Sequence, residues 1–355
     1  GDPPDLHSFP TRRSSDLTTF TRRLQRIGSS ILVSLPKEWV VANKLDKSSQ
    51  VEIEATQNNL SITTQQSRKP TKEVEIPYPL SKEDSVVANI TGAYLLGYDL
   101  IRIKGKSTIS IKDRENIRAS MRSLVGIEII DEDAKTITTQ ILLDESSVNP
   151  QKILKRMSSI AQGMFIDVLD MLQNTDQLAS VVDRDSEINR QYFLLVRLIR
   201  SAIVDKRLAA TFNLEDMDIL DYRLAANIIE NAGDTIVSIT DTVAKSMAFK
   251  TMAKSHFNLI YDIAKDIEEI QTKSVDAFVS NDRTLAITTI QHHKKLLKKM
   301  QNARIPKGTA LKETEILPFL DLLQGIENYE KSWSDILDLI QDRKSTRLNS
   351  SHSEI

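Results

Sequence analysis

The chain reads as a multidomain, mostly α-helical protein: a small β-rich unit, a small α/β connector, and two tandem three-helix bundles. Three observations predict it. Short apolar runs of strand length fill the first 66 residues, strand and helix signals alternate to about 145, and from Asn149 onward the apolar residues recur with the helical period. At 355 residues, with 40% apolar and 27% charged side chains, the chain has material for two or three packed units and an ordinary globular composition.

The β-rich unit spans 18–66. Strands are expected at 20–25, 31–35, 51–56 and 60–64, with a brief helix at 37–43 and a tight hairpin turn at Asn58-Asn59. A unit of this size buries little apolar surface alone, so it is expected to dimerise. Between 18 and 47, six basic residues stand against two acidic ones, a local excess of +4 in a chain whose net charge is -2. Two readings of that excess stand: a patch contacting DNA phosphates, or an incidental surface of a dimerisation module.

The connector spans 70–145, with strands at 73–76, 100–104, 127–131 and 136–143 and helices at 81–96 and 112–124. Gly97, between a helix and the apolar run Leu100-Ile101-Arg102-Ile103, is expected to end that helix. No chemistry is visible in it. Helices are then expected at 150–173, 176–206 and 214–247, forming a first repeat (149–248), and at 250–279, 282–302 and 312–341, forming a second (249–342). Asn213 is the expected N-cap of the third helix. Leu178-Ala179 and Leu285-Ala286, each near an upstream Asn and Asp, mark the internal repeat. The ends, 1–17 and 343–355, are polar and unpatterned. They resemble translated sequencing-adapter sequence and are read as non-native tails.

Several function classes are excluded. Without cysteine there is no disulfide, thiolate metal site or cysteine nucleophile. No P-loop, GxGxxG, GxSxG or HExxH occurs, so no enzyme is expected. No apolar run approaches a membrane span and no signal core follows the N-terminus, so a cytoplasmic protein without membrane insertion is expected.

The most informative residues are Glu230 and Asp234, which stand four apart within Ile-Ile-Glu-Asn-Ala-Gly-Asp-Thr-Ile-Val. Like charges at that helical spacing cost about 0.2–0.5 kcal/mol unless something positive answers them. Asp185 and Asn189 make a second one-turn pair on the preceding helix, and Asp183 and Glu187 a weaker third. Facing pairs of oxygen ligands suit a hard or borderline cation such as Mg, Mn or Fe; the alternative is an ordinary solvated acidic surface. The second repeat offers Gln291-His-His-Lys-Lys-Leu-Leu-Lys-Lys instead, read as a solvated basic face. Asp262, Asp266 and Glu269 are read as a solvent-facing stripe, so any metal belongs to the first repeat alone.

Two resemblances attach to these residues. Arg22-Arg23-Leu-Gln-Arg26-Ile-Gly28-Ser-Ser, Ile-Leu-Val-Ser-Leu-Pro36-Lys37-Glu-Trp39 and Val51-Glu-Ile53 resemble the SpoVT-AbrB (AbrB/MazE) family. That likeness implies an interlocked, swapped-hairpin homodimer presenting Arg22, Arg23, Arg26, Ser29, Ser30 and Lys37 to DNA. Asp183-Arg-Asp185-Ser-Glu187-Ile-Asn189 with Tyr192 to Arg197, and Tyr222-Arg223 through Glu230-Asn-Ala-Gly-Asp234, resemble the PhoU family of phosphate-uptake regulators, in an archaeal-type arrangement. That likeness implies two three-helix repeats and a metal ion (Mg, Mn, Fe or Zn) at Asp185, Asn189, Glu230 and Asp234. It also implies docking on a phosphate transporter's ATPase or a signalling protein. Phosphate-responsive DNA binding is the leading expectation, and a non-DNA-binding adaptor that inhibits the transporter is the alternative.

Overall fold

In the computed structural model, residues 20–55, 60–64, 71–79, 85–172, 178–304 and 311–351 are described. The chain divides into two compact units at Pro70/Thr71.

In the first unit, β1 (Gln25–Ile27) and β2 (Ser30–Leu32) form an antiparallel hairpin in which Arg26 faces Ile31. The strands are shorter than expected and centred differently, because the turn at Gly28 sets the register and only residues flanking it symmetrically can pair. Helix α1 (Lys37–Ala42) starts after Pro36 and closes where the Asn43 side chain donates to Trp39 O at 2.8 Å. β3 (Val51–Ala55) and β4 (Leu60–Thr64) pair antiparallel, Ile53 opposite Ile62. The expected turn at Asn58-Asn59 lies outside the described residues, as do the expected tail 1–17 and residues 352–355. No described residue from Phe20 to Thr64 is buried, and Leu24 (71%), Ile27 (64%), Ile31 (68%) and Val41 (65%) are largely exposed.

The second unit opens with a four-stranded sheet in the order β5-β6-β8-β7, built from β5 (Glu73–Tyr78), β6 (Leu100–Gly105), β7 (Ile127–Glu132) and β8 (Thr136–Ile141). β5 and β6 run parallel across α2 (Val86–Leu95), while β8 pairs antiparallel with both β6 and β7. Ser85 caps α2 and Ser110 caps α3 (Ile111–Arg122). Ile76, Ile90, Tyr94, Ile101, Ile103, Ile117 and Ile137 make the core of this layer. Gly97 follows α2 at φ 75°, the left-handed conformation that closes a helix and that a Cβ disfavours.

Among the described residues seven α-helices follow: α4 (Pro150–Met171), α5 (Leu178–Val204), α6 (Lys206–Thr211), α7 (Asp216–Lys245), α8 (Lys254–Ser280), α9 (Arg283–Ala303) and α10 (Glu313–Ser351). Asn149 caps α4, with Pro150 at its first position, where a missing N–H costs nothing. Two expectations are corrected here. α6 was not expected; it forms because Asp205 accepts from the N–H groups of Arg207 and Leu208 while Leu208 and Ala209 turn inward, and six residues are too few to show a helical period. Asn213 is not the N-cap of α7: it takes φ 56° in the preceding turn, and Glu215 caps, its N–H donating to Asp218 Oδ2 at 3.0 Å. α10 also runs beyond 341, through residues whose sequence carries no apolar repeat to explain it.

The bundle α4, α5, α7 and the bundle α8, α9, α10 share one continuous core, with α7 packed on α10 and α4 on α8. Gln271, fully buried on α8, spans the seam. Its Nε2 donates to Ser158 O at 2.8 Å, and its Oε1 accepts from Tyr329 OH at 2.7 Å, so α4, α8 and α10 are tied through one amide. Such a buried network fixes register because each polar atom has only one place to find its partner.

Candidate acidic site on the first helical bundle

α5 and α7 run antiparallel and meet where Gly233 lets them approach closely. A Cβ there would lie 3.1 Å from Ile188 Cδ1 and 3.4 Å from Asp185 Oδ1. That approach brings Asp185 on α5 beside Glu230 and Asp234 on α7. Asp185 and Glu230 are half-buried and Asp234 is exposed. Burial first, and then the Asp234 charge, hold the Asp185 carboxyl above its ordinary range; burial, Asp234 and Asp185 do the same to Glu230, with Arg223 working against them. The expected repulsion is therefore real. Two carboxyls are held upward first by burial, and the shared neighbourhood of three acids adds to it.

The fourth expected ligand, Asn189, joins the cluster through its amide, whose Nδ2 donates to Asp185 Oδ2 at 3.2 Å. Exchanging the amide O and N would present an oxygen at the same place. Three carboxylates and an amide oxygen form a donor set for a hard cation. Their spacing is looser than ligation requires: among the described residues, no group of three or more His, Cys, Asp or Glu is close enough to hold a metal ion.

The two weaker candidates fall outside the cluster. Glu187 accepts from Arg156 Nη2 at 2.8 Å and from Gln191 Nε2 at 2.8 Å, so its charge is answered on another side of α5. Asp183 is exposed.

Arg197, part of the motif that suggested this site, points elsewhere. It is 2% exposed and reaches the sheet layer: Nη1 donates to Tyr94 O and Tyr98 O, both at 2.9 Å, Nε donates to Glu145 Oε1 at 2.9 Å, and the guanidinium stacks 5.1 Å over the Tyr94 ring. It fastens the α/β layer to α5. Burial pushes the Tyr94 hydroxyl up to about 12, so that ring stays neutral beside the guanidinium.

In the second bundle Lys294, Lys295 and Lys298 form the solvated basic face expected, and Asp262 and Glu269 are exposed, but Asp266 is half-buried and paired rather than solvent-facing. Lys299 Nζ on α9 sits between Asp262 Oδ2 at 2.6 Å and Asp266 Oδ2 at 2.7 Å on α8, and His292 Nε2 lies 3.2 Å from Asp266 Oδ1. Burial opposes the charge of Lys299, but its bonds to Asp262 and Asp266 win and hold the ammonium above its usual range; Asp266, against its own burial, is held below its range by Lys299 and His292. A lysine of the chain therefore answers these two acids between α8 and α9, as Arg184 answers Asp167 between α4 and α5. His293 points to the other side of α9 and pairs with Glu330, which is 1% exposed. The sequence held the spacings of this arrangement but not the pairing of the two helix faces. Acids four apart on α8 meet cations seven apart on α9, and both spacings keep a face.

In the first unit, Arg22, Arg23, Arg26, Ser29, Ser30 and Lys37 are all exposed. Arg22 stacks on Phe20 and Arg26 donates to Gly28 O at 3.3 Å. Among the described residues, none of these four basic side chains meets a carboxylate.

Comparison with known proteins bears on the helical part. No curated protein matches the chain. Among solved structures, PhoU from Pseudomonas aeruginosa aligns with a TM-score of 0.42 at 15% identity, covering 54% of this chain and 93% of that one. Residues 154–243 match the family profile described as "PhoU domain". That match runs from α4 to α7 and contains Asp185, Asn189, Glu230 and Asp234. No helix among the described residues is long and apolar enough to cross a membrane. Residues 154–243 are therefore the part of this chain that is similar to a PhoU domain.

Proposed function

We propose that the chain regulates phosphate uptake by docking, through its helical bundles, on a component of the uptake machinery such as the transporter's ATPase or a signalling partner, without catalysing a reaction itself. The single observation that carries this reading is the PhoU domain at residues 154–243, which coincides with the acidic cluster of the first bundle. Deletion of the gene in the native host tests it. Phosphate uptake in phosphate-replete cells should rise several-fold and fall back on complementation; unchanged uptake would remove the reading.

Within that role the cluster of Asp185, Asn189, Glu230 and Asp234 would take a hard cation, Mg, Mn or Fe in preference to the softer Zn, by drawing these side chains closer than they stand here. Elemental analysis of protein purified without chelator should show metal that disappears in Glu230→Ala/Asp234→Ala. Equal content in both proteins would eliminate the site.

A second reading adds DNA to the partners. The observation favouring it is that Arg22, Arg23, Arg26 and Lys37 are exposed without carboxylate partners in a unit that leaves its apolar residues uncovered, as half of a homodimer would. Retardation of duplex DNA should then weaken steeply with salt and vanish in Arg22→Ala/Arg23→Ala/Arg26→Ala. No retardation at low salt would leave the adaptor reading alone.

A further inference from the structure

We infer that the outward face of α9, centred on Lys294, Lys295 and Lys298, is a docking surface for an acidic protein segment. This rests on the docking role proposed above and gives it a place on the chain.

α9 is unlike the other long helices. Its 21 residues contain Arg283, Lys294, Lys295, Lys298 and Lys299 and no Asp or Glu. Ala286, Thr289, Leu296, Met300 and Ala303 are buried and fix the inward face; Lys294, Lys295 and Lys298 are exposed on the opposite side. Lys294 and Lys298 stand four apart and Lys295 and Lys298 three apart, spacings at which like charges cost about 0.2–0.5 kcal/mol each.

Some exposed lysines of the bundles are answered one turn away, Lys245 by Asp241, Lys273 by Glu269 and Lys331 by Asp335, while Lys152, Lys254 and Lys265 stand singly; only on α9 do three unanswered lysines adjoin among the described residues. On α9 the acids within reach are already engaged. Asp262 and Asp266 hold Lys299, Glu330 holds His293, and Glu327 accepts from Arg304 Nε at 3.0 Å. Among the described residues no carboxylate pairs with Lys294, Lys295 or Lys298. Three adjacent cations are left for something outside the chain.

The occupant follows from what accompanies them. Ile287 (45% exposed) and Leu297 (38%) flank the lysines, so the surface alternates charge with small apolar contacts. Beside these lysines α9 carries no Phe, Tyr or Trp to stack bases, and its one arginine fork, Arg283, stands at the far end of the helix. The apolar face of α9 is committed to the core, which leaves too little to insert into a lipid surface. An acidic segment with interspersed aliphatic residues complements this surface in both respects.

The test uses the full chain and a fluorescein-labelled 15-residue peptide alternating Glu and Leu, read by anisotropy. Wild-type protein should bind with affinity that falls as salt rises. K294E/K295E/K298E should weaken binding at least tenfold at an unchanged melting temperature, and the Gln triple variant should fall between. K112E/K135E/K152E, an equal charge change at exposed lysines elsewhere, should leave binding intact. Equal loss in that control, no loss in the α9 variant, or preference of α9 for 30% phosphatidylserine vesicles or a 20-base-pair duplex over the peptide would overturn the assignment. In cells, a K294E/K295E/K298E chain that represses phosphate uptake as fully as wild type would remove α9 as the surface while leaving the uptake role standing.

Discussion

At the scale of single residues, the contrast between Asp185 and Asp266 is the most informative comparison in the molecule. Both are acids on bundle helices. Asp185 shares its surroundings with Glu230 and Asp234 and is held above the ordinary carboxylate range; Asp266 is bonded by Lys299 and His292 and held below it. A raised acid favours the fold while protonated, so the contribution of Asp185 is full below its unfolded value of 3.8 and is lost as pH rises through its elevated folded value. The contribution of Asp266 has the opposite sign: present above 3.8, it is lost as pH falls through its depressed value. Asp185→Asn should therefore raise the melting temperature of metal-free protein at pH 7 by about 1–2 °C and flatten its acid-side pH dependence. An unchanged or lower melting temperature would mean that the cluster is not repulsive. Lys299→Ala, which strands two carboxylates, should destabilise by about 1–2 kcal/mol in urea melts at pH 7. The pair Glu230 and Asp234 was legible in sequence because one helix sets their spacing. The engagement of Asp262 and Asp266 by Lys299 was not, since it depends on the rotation of α9 against α8, which no single helix encodes.

At the scale of elements, Arg197 supplies the polar tie of the sheet layer to α5, beside the apolar packing of Phe193. Arg197 is buried with Glu145 and two backbone carbonyls as its partners. Replacement by leucine leaves a carboxylate without its counter-charge, and about 3 kcal/mol of stability should be lost, read by urea unfolding. Retained stability would show that apolar packing of Phe193 and its neighbours suffices. The α7–α10 contact depends on Gly325, where an added Cβ would come within 2.6 Å of Ile239 Cγ1. Gly325→Ala gains about 1 kcal/mol of helix propensity but loses about 1–3 kcal/mol to overpacking. A net loss is expected, and a stabilised variant would contradict the close approach. The long helices were readable because their apolar period repeats over several turns, which is why α4, α8 and α9 begin and end near their expected bounds. α6 was hidden because six residues hold less than two turns, and the N-cap of α7 was misplaced because Asn serves both as cap and as left-handed turn residue.

At the scale of the whole molecule, a unit with no buried residue among those described is followed by one with two cores, in the sheet layer and along the bundles. Fully burying one side chain such as Leu24 or Ile31 is worth about 1.5–3 kcal/mol, so a unit leaving these exposed gains most by pairing with another copy. Leu24→Ser/Ile31→Ser should shift the full chain toward monomer in sedimentation velocity, and an unaltered distribution would place any self-association elsewhere. The sequence patterns of the helical region were strong enough to suggest a PhoU relationship, and the domain match at residues 154–243 supports it. A swapped-hairpin pairing of the first unit, which the AbrB-like resemblance implies, would depend on a second chain and so cannot be read from one. The central claim is that the helical bundles, and not the basic residues of the first unit, carry the regulation of phosphate uptake. The most direct measurement is phosphate uptake in phosphate-replete cells whose only copy of the chain is Arg22→Ala/Arg23→Ala/Arg26→Ala. The account predicts uptake as low as with the wild-type chain, whereas uptake as high as in the deletion strain would contradict it.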